Sequence, residues 1–329
     1  MTDKPKVAFY WCASCGGCEE AVVDLAEKVL DVVAAVDIVF WPVALDFKRK
    51  DVEAMPDGSI AAAFINGAVR STEQEEMVHM LRRKARTVVA FGSCSHLGGI
   101  PGLANQYDLA GVMAAAYTES PSVVNPDGVL PRRHSEEDGH ALSIPALYET
   151  VRALDQVIDV DYYLPGCAPT PALIANAVMA LLAGTLPPKG SVLAPDVALC
   201  EECPRQKSKP EKLALSAFKR PSQVLLNEEE CLLAQGVLCL GPATRGGCEA
   251  LCPAGNMPCT GCFGATSRVR DQGAKALSGI AATIGSNDAA EIERILADIP
   301  DPIGTFYRYS LPASLLRRRR FAAVKEGRP

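Results

Sequence analysis

Aromatic residues make up only 6% of the chain, and no part of it is basic: 33 Lys and Arg face 39 Asp and Glu, a formal charge of −6 at pH 7. A nucleic-acid-binding surface therefore lacks both its electrostatic footprint and its stacking platforms. No apolar stretch approaches the roughly eighteen residues that mark a membrane-spanning helix. Residues 1–6 lead into a strand-like segment with no charged-then-apolar leader, so the expectation is a cytoplasmic protein. The G-x-G-x-x-G and Walker signatures are also missing, which leaves a nucleotide pocket without sequence support.

What is plentiful is cysteine, 13 in 329 residues, within a chain whose 48% hydrophobic content describes a well-buried globular protein. A reducing compartment rules out a disulfide framework. Metal or cluster ligation, redox chemistry and inert burial are then the readings open to these thiols.

The first part of the chain alternates strands and helices. Lys6–Trp11, Val36–Val43, Ile60–Ile65, Thr87–Phe91 and Val160–Leu164 read as strands, and Glu19–Val33, Thr72–Arg86, Pro145–Ile158 and Pro171–Ala183 as helices. Apolar strands alternating with helices indicate an α/β fold with a parallel sheet covered on both faces. Between them, 93–143 reads as a long irregular stretch rich in Gly, Pro and charge, as a functional or partner-binding insertion would be. A Pro/Gly-rich linker at 186–195 divides the chain into an α/β domain, 1–186, and a turn-rich, Cys-rich domain, 187–264. The latter has few apolar runs, which predicts that it folds around metal. A tail, 265–329, carries one helix near 288–298 and ends in the run Arg317–Arg320, read as a solvated face.

In the first domain Cys12, Cys15 and Cys18 follow the first strand, Cys94 follows TVVAF, and Cys167 follows VDYYL. Carboxyl ends of parallel strands share one edge, where ligands bind, so topology brings distant cysteines to one spot. Structural zinc prefers two compact CxxC knuckles, whereas one CxxC joined by two remote cysteines suits a cubane cluster. Of the three N-terminal thiols, Cys15 and Cys18 are the expected ligands, since Cys12 lies just off the strand and reads as a small buried hydrophobe. The second domain holds Cys200, Cys203, Cys231, Cys239, Cys248, Cys252, Cys259 and Cys262, two sets of four. Proline follows Cys203 and Cys252, as at ferredoxin-type ligands. Two zinc sites are the alternative.

These strings together, WCASCGGCEE, FGSCSHLGG, LPGCAPTP, CEECP, CLLAQGVLCLGPATRGGCEALCP and PCTGCFG, resemble the small subunit of nickel–iron hydrogenases over roughly residues 6–264. The resemblance implies a flavodoxin-like domain followed by a small irregular iron–sulfur domain, and three 4Fe-4S clusters. It implies proximal ligands Cys15, Cys18, Cys94 and Cys167, and distal ligands Cys200, Cys203, Cys231 and Cys239. Cys248, Cys252, Cys259 and Cys262 are implied as medial. Many respiratory members have His where Cys200 stands, and Pro where Cys252 stands. All-Cys ligation is similar to the cytoplasmic methyl-viologen-reducing group linked to heterodisulfide reductase. The implied partners are a nickel–iron large subunit, a small iron–sulfur subunit and a flavin-containing heterodisulfide-reductase-like subunit. The implied role is electron relay, with a relay subunit of a complex whose partner lacks nickel as the alternative. Glu19, next to Cys18, is a candidate proton-transfer group, with a dipole-favoured helix N-terminal acid as its plainer reading. The histidines His79, His96, His134 and His140 read as solvent or loop residues, although His96 stands within reach of a cluster on Cys94.

Overall fold

A computed structural model describes residues 4–317. Six parallel strands form the main sheet: β1 Lys6–Trp11, β2 Asp37–Phe40, β3 Ile60–Asn66, β4 Ala85–Phe91, β5 Tyr162–Leu164 and β6 Ser191–Val192. Their spatial order is β6-β5-β4-β3-β1-β2, which is the flavodoxin-like order with one strand added at an edge. The register aligns Phe9 with Phe64, and Phe64 with Val89.

Because strand side chains alternate between faces, these central strands feed two separate cores. Val7, Phe9, Ala62, Phe64, Val89 and Phe91 pack on one face with Ala21 and Val22 of helix Gly17–Val23 and Ile174, Ala177 and Val178 of helix Pro171–Ala183. Ala8, Ala63, Ile65, Val88 and Ala90 pack on the other with Met77, Val78 and Leu81 of helix Thr72–Lys84. That last helix starts in a capping box: Ser71 Oγ accepts from the Gln74 amide at 3.3 Å, and Gln74 Oε1 accepts from the Ser71 amide at 3.1 Å.

Four local expectations are corrected. The helix expected at Glu19–Val33 is two, Gly17–Val23 and Lys28–Ala35, separated by a turn in which Ala26 has φ +52°. The helix expected at Pro145–Ile158 is instead a strand, Leu147–Arg152, antiparallel to Val69–Ser71, followed by a short 3-10 turn. Its alternation of exposed and inward residues is a strand period, and Asn105 fixes it by bonding both the N–H (2.8 Å) and the C=O (2.9 Å) of Val151. The insertion contains helix Ser93–Leu97 and a hairpin, His134–Glu137 with His140–Ser143. The segment read as a linker contributes β6 to the sheet.

The Cys-rich region does have an apolar core, shared with the tail. Leu215, Phe218, Leu233 and Leu240 pack against Ala276, Ile280, Ile295, Ile299, Phe306, Tyr307 and Leu311. These tail residues come from helices Gln272–Ala281, Ala289–Leu296 and Pro302–Phe306 and from the turns that follow the last two. The tail also reaches the first domain, where the Gly99 amide donates to Tyr309 O at 2.9 Å and Gln156 Nε2 to Pro312 O at 2.7 Å. Residues 318–320 of the arginine run lie outside the described residues. Among the described residues no helix is long and apolar enough to cross a membrane.

Candidate metal centres

The loops after β1, β4 and β5 meet at the carboxyl edge of the sheet. The Gly92 amide donates to Leu164 O at 2.8 Å and the Ser93 amide to Gly166 O at 2.8 Å, tying the Cys94 loop to the Cys167 loop. Gly92 has φ 83° and ψ 167°, a glycine conformation, and a Cβ there would stand 2.3 Å from Cys18 Sγ. Thus Cys15, Cys18, Cys94 and Cys167 share one site. Burial pushes the Cys18 thiol far up, reinforced by Cys94, Cys167 and Cys15; burial and then Cys167 raise Cys94 to about 12; burial and then Cys15 raise Cys167. Cys18 and Cys94 are buried, while Cys15 and Cys167 are exposed. Cys12 lies in the core on the opposite face of the sheet, 5% exposed.

Glu19 is turned inward, 4% exposed. Trp41 Nε1 donates to its Oε2, and Asn66 Nδ2 donates to its Oε1 at 2.6 Å. Burial raises its carboxyl to about 7, against the two hydrogen bonds, which lower it. Its position in the first turn of a helix is as read from the sequence, but its partners are interior side chains.

In the second region Cys200, Cys203, Cys231 and Cys239 line one small cavity with Leu199, Leu232 and Pro253. Burial raises Cys200 to about 11, opposed by Lys209 and reinforced by Cys239, Cys231 and Cys203. Of the remaining four, Cys248 and Cys252 lie near Cys262, which is raised to about 12 by burial and also by Cys248, Cys167 and Cys252, while Cys259 lies near both Cys239 and Cys262.

The groups are joined in a line. The Cys262 thiol lies against the Cys167 backbone, which lowers it in part, and its carbonyl accepts a hydrogen bond from Ser93 Oγ. At the other end the Cys259 amide donates to Cys239 Sγ at 3.4 Å, and the Leu240 amide to Cys259 O at 2.9 Å. The Cys248–Cys262 group therefore touches both others. Among the described residues no three His, Cys, Asp or Glu are arranged to hold a single metal ion.

His79, His134 and His140 are exposed, as expected. His96 is not a solvent residue. It is half-buried behind the Cys94 loop, its ring 4.7 Å from that of Tyr163, with Nδ1 itself buried and unpartnered, and this desolvation lowers it to about 3. Sequence reasoning missed Glu202, Arg205 and Tyr309. The first two lie inside and just beyond CEECP but read as ordinary surface charges. Tyr309 feels both Cys167 and Cys262 and shares a 3.1 Å hydrogen bond with Thr260, from a tail that had no motif.

Comparison with known proteins identifies the family. The family described as NADH ubiquinone oxidoreductase, 20 Kd subunit, matches residues 15–181. The iron-sulfur subunit of the F420-non-reducing hydrogenase of Archaeoglobus profundus is 41% identical over 96% of this chain and 99% of its own length. The corresponding F420-non-reducing hydrogenase subunit of Methanothermobacter thermautotrophicus is 39% identical over 96% of this chain and 97% of its own. The fold is similar to a chain of the [NiFeSe] hydrogenase from Desulfovibrio vulgaris Hildenborough, with TM-score 0.52 and 18% identity, covering 80% of this chain and 94% of that one. With near-full-length relatives at this identity and thiols gathered at the carboxyl edge of a flavodoxin-like sheet, the chain belongs to the nickel–iron hydrogenase small-subunit family, in the group found in F420-non-reducing hydrogenases.

Proposed function

We propose that this subunit relays electrons through three 4Fe-4S clusters between the nickel–iron large subunit and a second electron-transfer module. The observation that carries the reading is the linear junction of the three thiol groups, with Cys262 against Cys167 and Cys259 against Cys239. Residues 1–186 hold the proximal site, and 187–264 the medial and distal sites. Within the described residues the tail, from 265 to 317, braces the two. The exposed Cys15 and Cys167 mark the proximal site as the one covered by the large subunit. The distal group faces the far end of the line, where a small iron–sulfur subunit and a flavin-containing heterodisulfide-reductase-like subunit are the acceptors. Thirteen cysteines, twelve of them proposed as cluster ligands, suit a reducing cytoplasm.

The donor sets fit the clusters. Each is four thiols, at least one of them pushed up by burial, and cationic iron would stabilise their thiolates. When bound, the clusters supply one-electron chemistry. The protein's part is to hold the thiols, exclude water and present amides such as Gly17 N, 3.5 Å from Cys15 Sγ. Glu19 is proposed as a group that exchanges protons beside the proximal site. Alanine substitutions test the grouping in the anaerobically purified complex, read by EPR. Cys94→Ala, Cys259→Ala and Cys231→Ala each remove a different signal; two that remove the same one contradict the division.

A further inference from the structure

Two charged side chains flank Cys203 and point to different places. The Glu202 carboxylate turns to the loop that carries Cys248, accepting from the Gly247 amide at 2.9 and 3.0 Å, the Cys248 amide at 3.2 Å and the Ala250 amide at 3.3 Å. Glu249 and Ala250 have φ of 56° and 50°, the left-handed turn that helps aim these amides inward. Glu202 Oε1 lies 3.8 Å from Cys248 Sγ. Among the described residues no cation forms an ion pair with it.

Arg205 is 3% exposed and lines the cavity of Cys200, Cys203, Cys231 and Cys239. Its guanidinium donates to neutral acceptors: Pro253 O at 3.2 Å, Asn227 O at 2.9 Å, Glu230 O at 3.2 Å and Asn256 Oδ1 at 2.8 Å. Among the described residues it too has no ion-pair partner. A partly buried anion thus stands at one site and a buried cation at the next, each without a counter-charge. Other charges lie nearby: Glu201, Lys209, Glu228–Glu230 and Glu249 are exposed, so water and salt screen them, and the buried Arg245 is paired with Asp196 at 2.8 Å.

Net charge and hydrogen bonding around a cluster are among the levers that set its potential. Charges away from water act more strongly than exposed ones. We propose that Glu202 and Arg205 are positioning residues for electron flow, Glu202 holding the Cys248 site at lower potential and Arg205 holding the Cys200 site at higher potential. An electron arriving from the proximal side is then favoured on the outer site. Glu202 acts twice, through its charge and by occupying amides that would otherwise donate to cluster sulfur. This inference rests on the cluster reading above.

The test is an EPR redox titration of the intact hydrogenase complex, with the two signals assigned by Cys252→Ala and Cys200→Ala. Glu202→Gln keeps the side chain's shape and is expected to shift the midpoint of the Cys252-dependent signal positive, leaving the other nearly unmoved. Arg205→Gln is expected to shift the Cys200-dependent midpoint negative, and Arg205→Lys to leave it close to the parent. If Arg205→Gln fails to assemble, Glu202→Gln alone decides. Signals present with an unmoved or negatively shifted medial midpoint in Glu202→Gln overturn the inference, as does an equal shift at both sites. Absence of two clusters from the parent's second region overturns the relay reading instead, and iron counting registers that separately.

Discussion

Gly92 gives the sharpest mutational test of the proximal site. Its backbone, at φ 83° and ψ 167°, lies in a region nearly reserved for glycine. Placing alanine there costs about 1–3 kcal/mol in backbone strain. The added methyl would also stand 2.3 Å from Cys18 Sγ, more than an ångström inside contact distance. A thiol free of iron relieves that overlap by rotating away, whereas a thiol bound to a cluster cannot. Gly92→Ala therefore costs the fold only its strain energy but costs the proximal site a ligand. The expected result for anaerobically purified protein is a fall from about twelve to about eight iron atoms per chain, with far-UV circular dichroism essentially unchanged. Full iron retention with an unaltered proximal EPR signal would refute the placement of Cys18 against Gly92 as a ligand. Global unfolding would refute the claim that the loops tolerate a displaced thiol.

Cys12→Ser keeps all iron and costs about 1–3 kcal/mol by burying a hydroxyl, measured by iron content and thermal unfolding; loss of iron would make Cys12 a ligand. Glu19→Gln keeps the iron and lowers hydrogen-dependent turnover by about 100-fold or more, the scale of a positioned proton-transfer group; unchanged turnover removes Glu19 from the proton path. Asp161 binds Arg82 at 2.7 Å and Lys189 at 2.6 Å and accepts from the Val88 amide at 2.8 Å. Asp161→Asn is expected to cost about 1.5–3 kcal/mol at neutral pH, and a loss under about 0.5 kcal/mol in chemical denaturation contradicts this. After anaerobic iron removal, protease should cut first at 200–212 and 221–231, while helices Gln272–Ala281 and Ala289–Leu296 stay protected by their core; early cuts inside those helices argue against it.

The sheet was legible because its central strands, IAAAFI and TVVAF, are buried on both faces and show it as unbroken apolar runs. Pro171–Ala183 matched to the residue because Thr170, Pro171 and Gly184 mark both ends chemically. Leu147–Arg152 was misread because its pairing with Val69–Ser71 depends on a remote strand and on Asn105, neither visible locally. The candidate thiols were legible from spacing, and the burial of Cys12 from its place just off the strand. The shared core was not legible. Leu215, Phe218 and Leu233 lie in short apolar clusters with no regular period, and their partners Ile295 and Phe306 lie sixty or more residues on. For the same reason the tail looked like an appendage, although Tyr309 sits where two thiol groups meet. Glu202 and Arg205 escaped notice because a charge's burial is a property of the fold, not of its neighbours in sequence.

Metal and sulfide content of the anaerobically purified protein tests the central claim most directly. Three four-iron clusters require about twelve iron and about twelve acid-labile sulfide per chain; stoichiometric zinc with little iron or sulfide would contradict the relay outright.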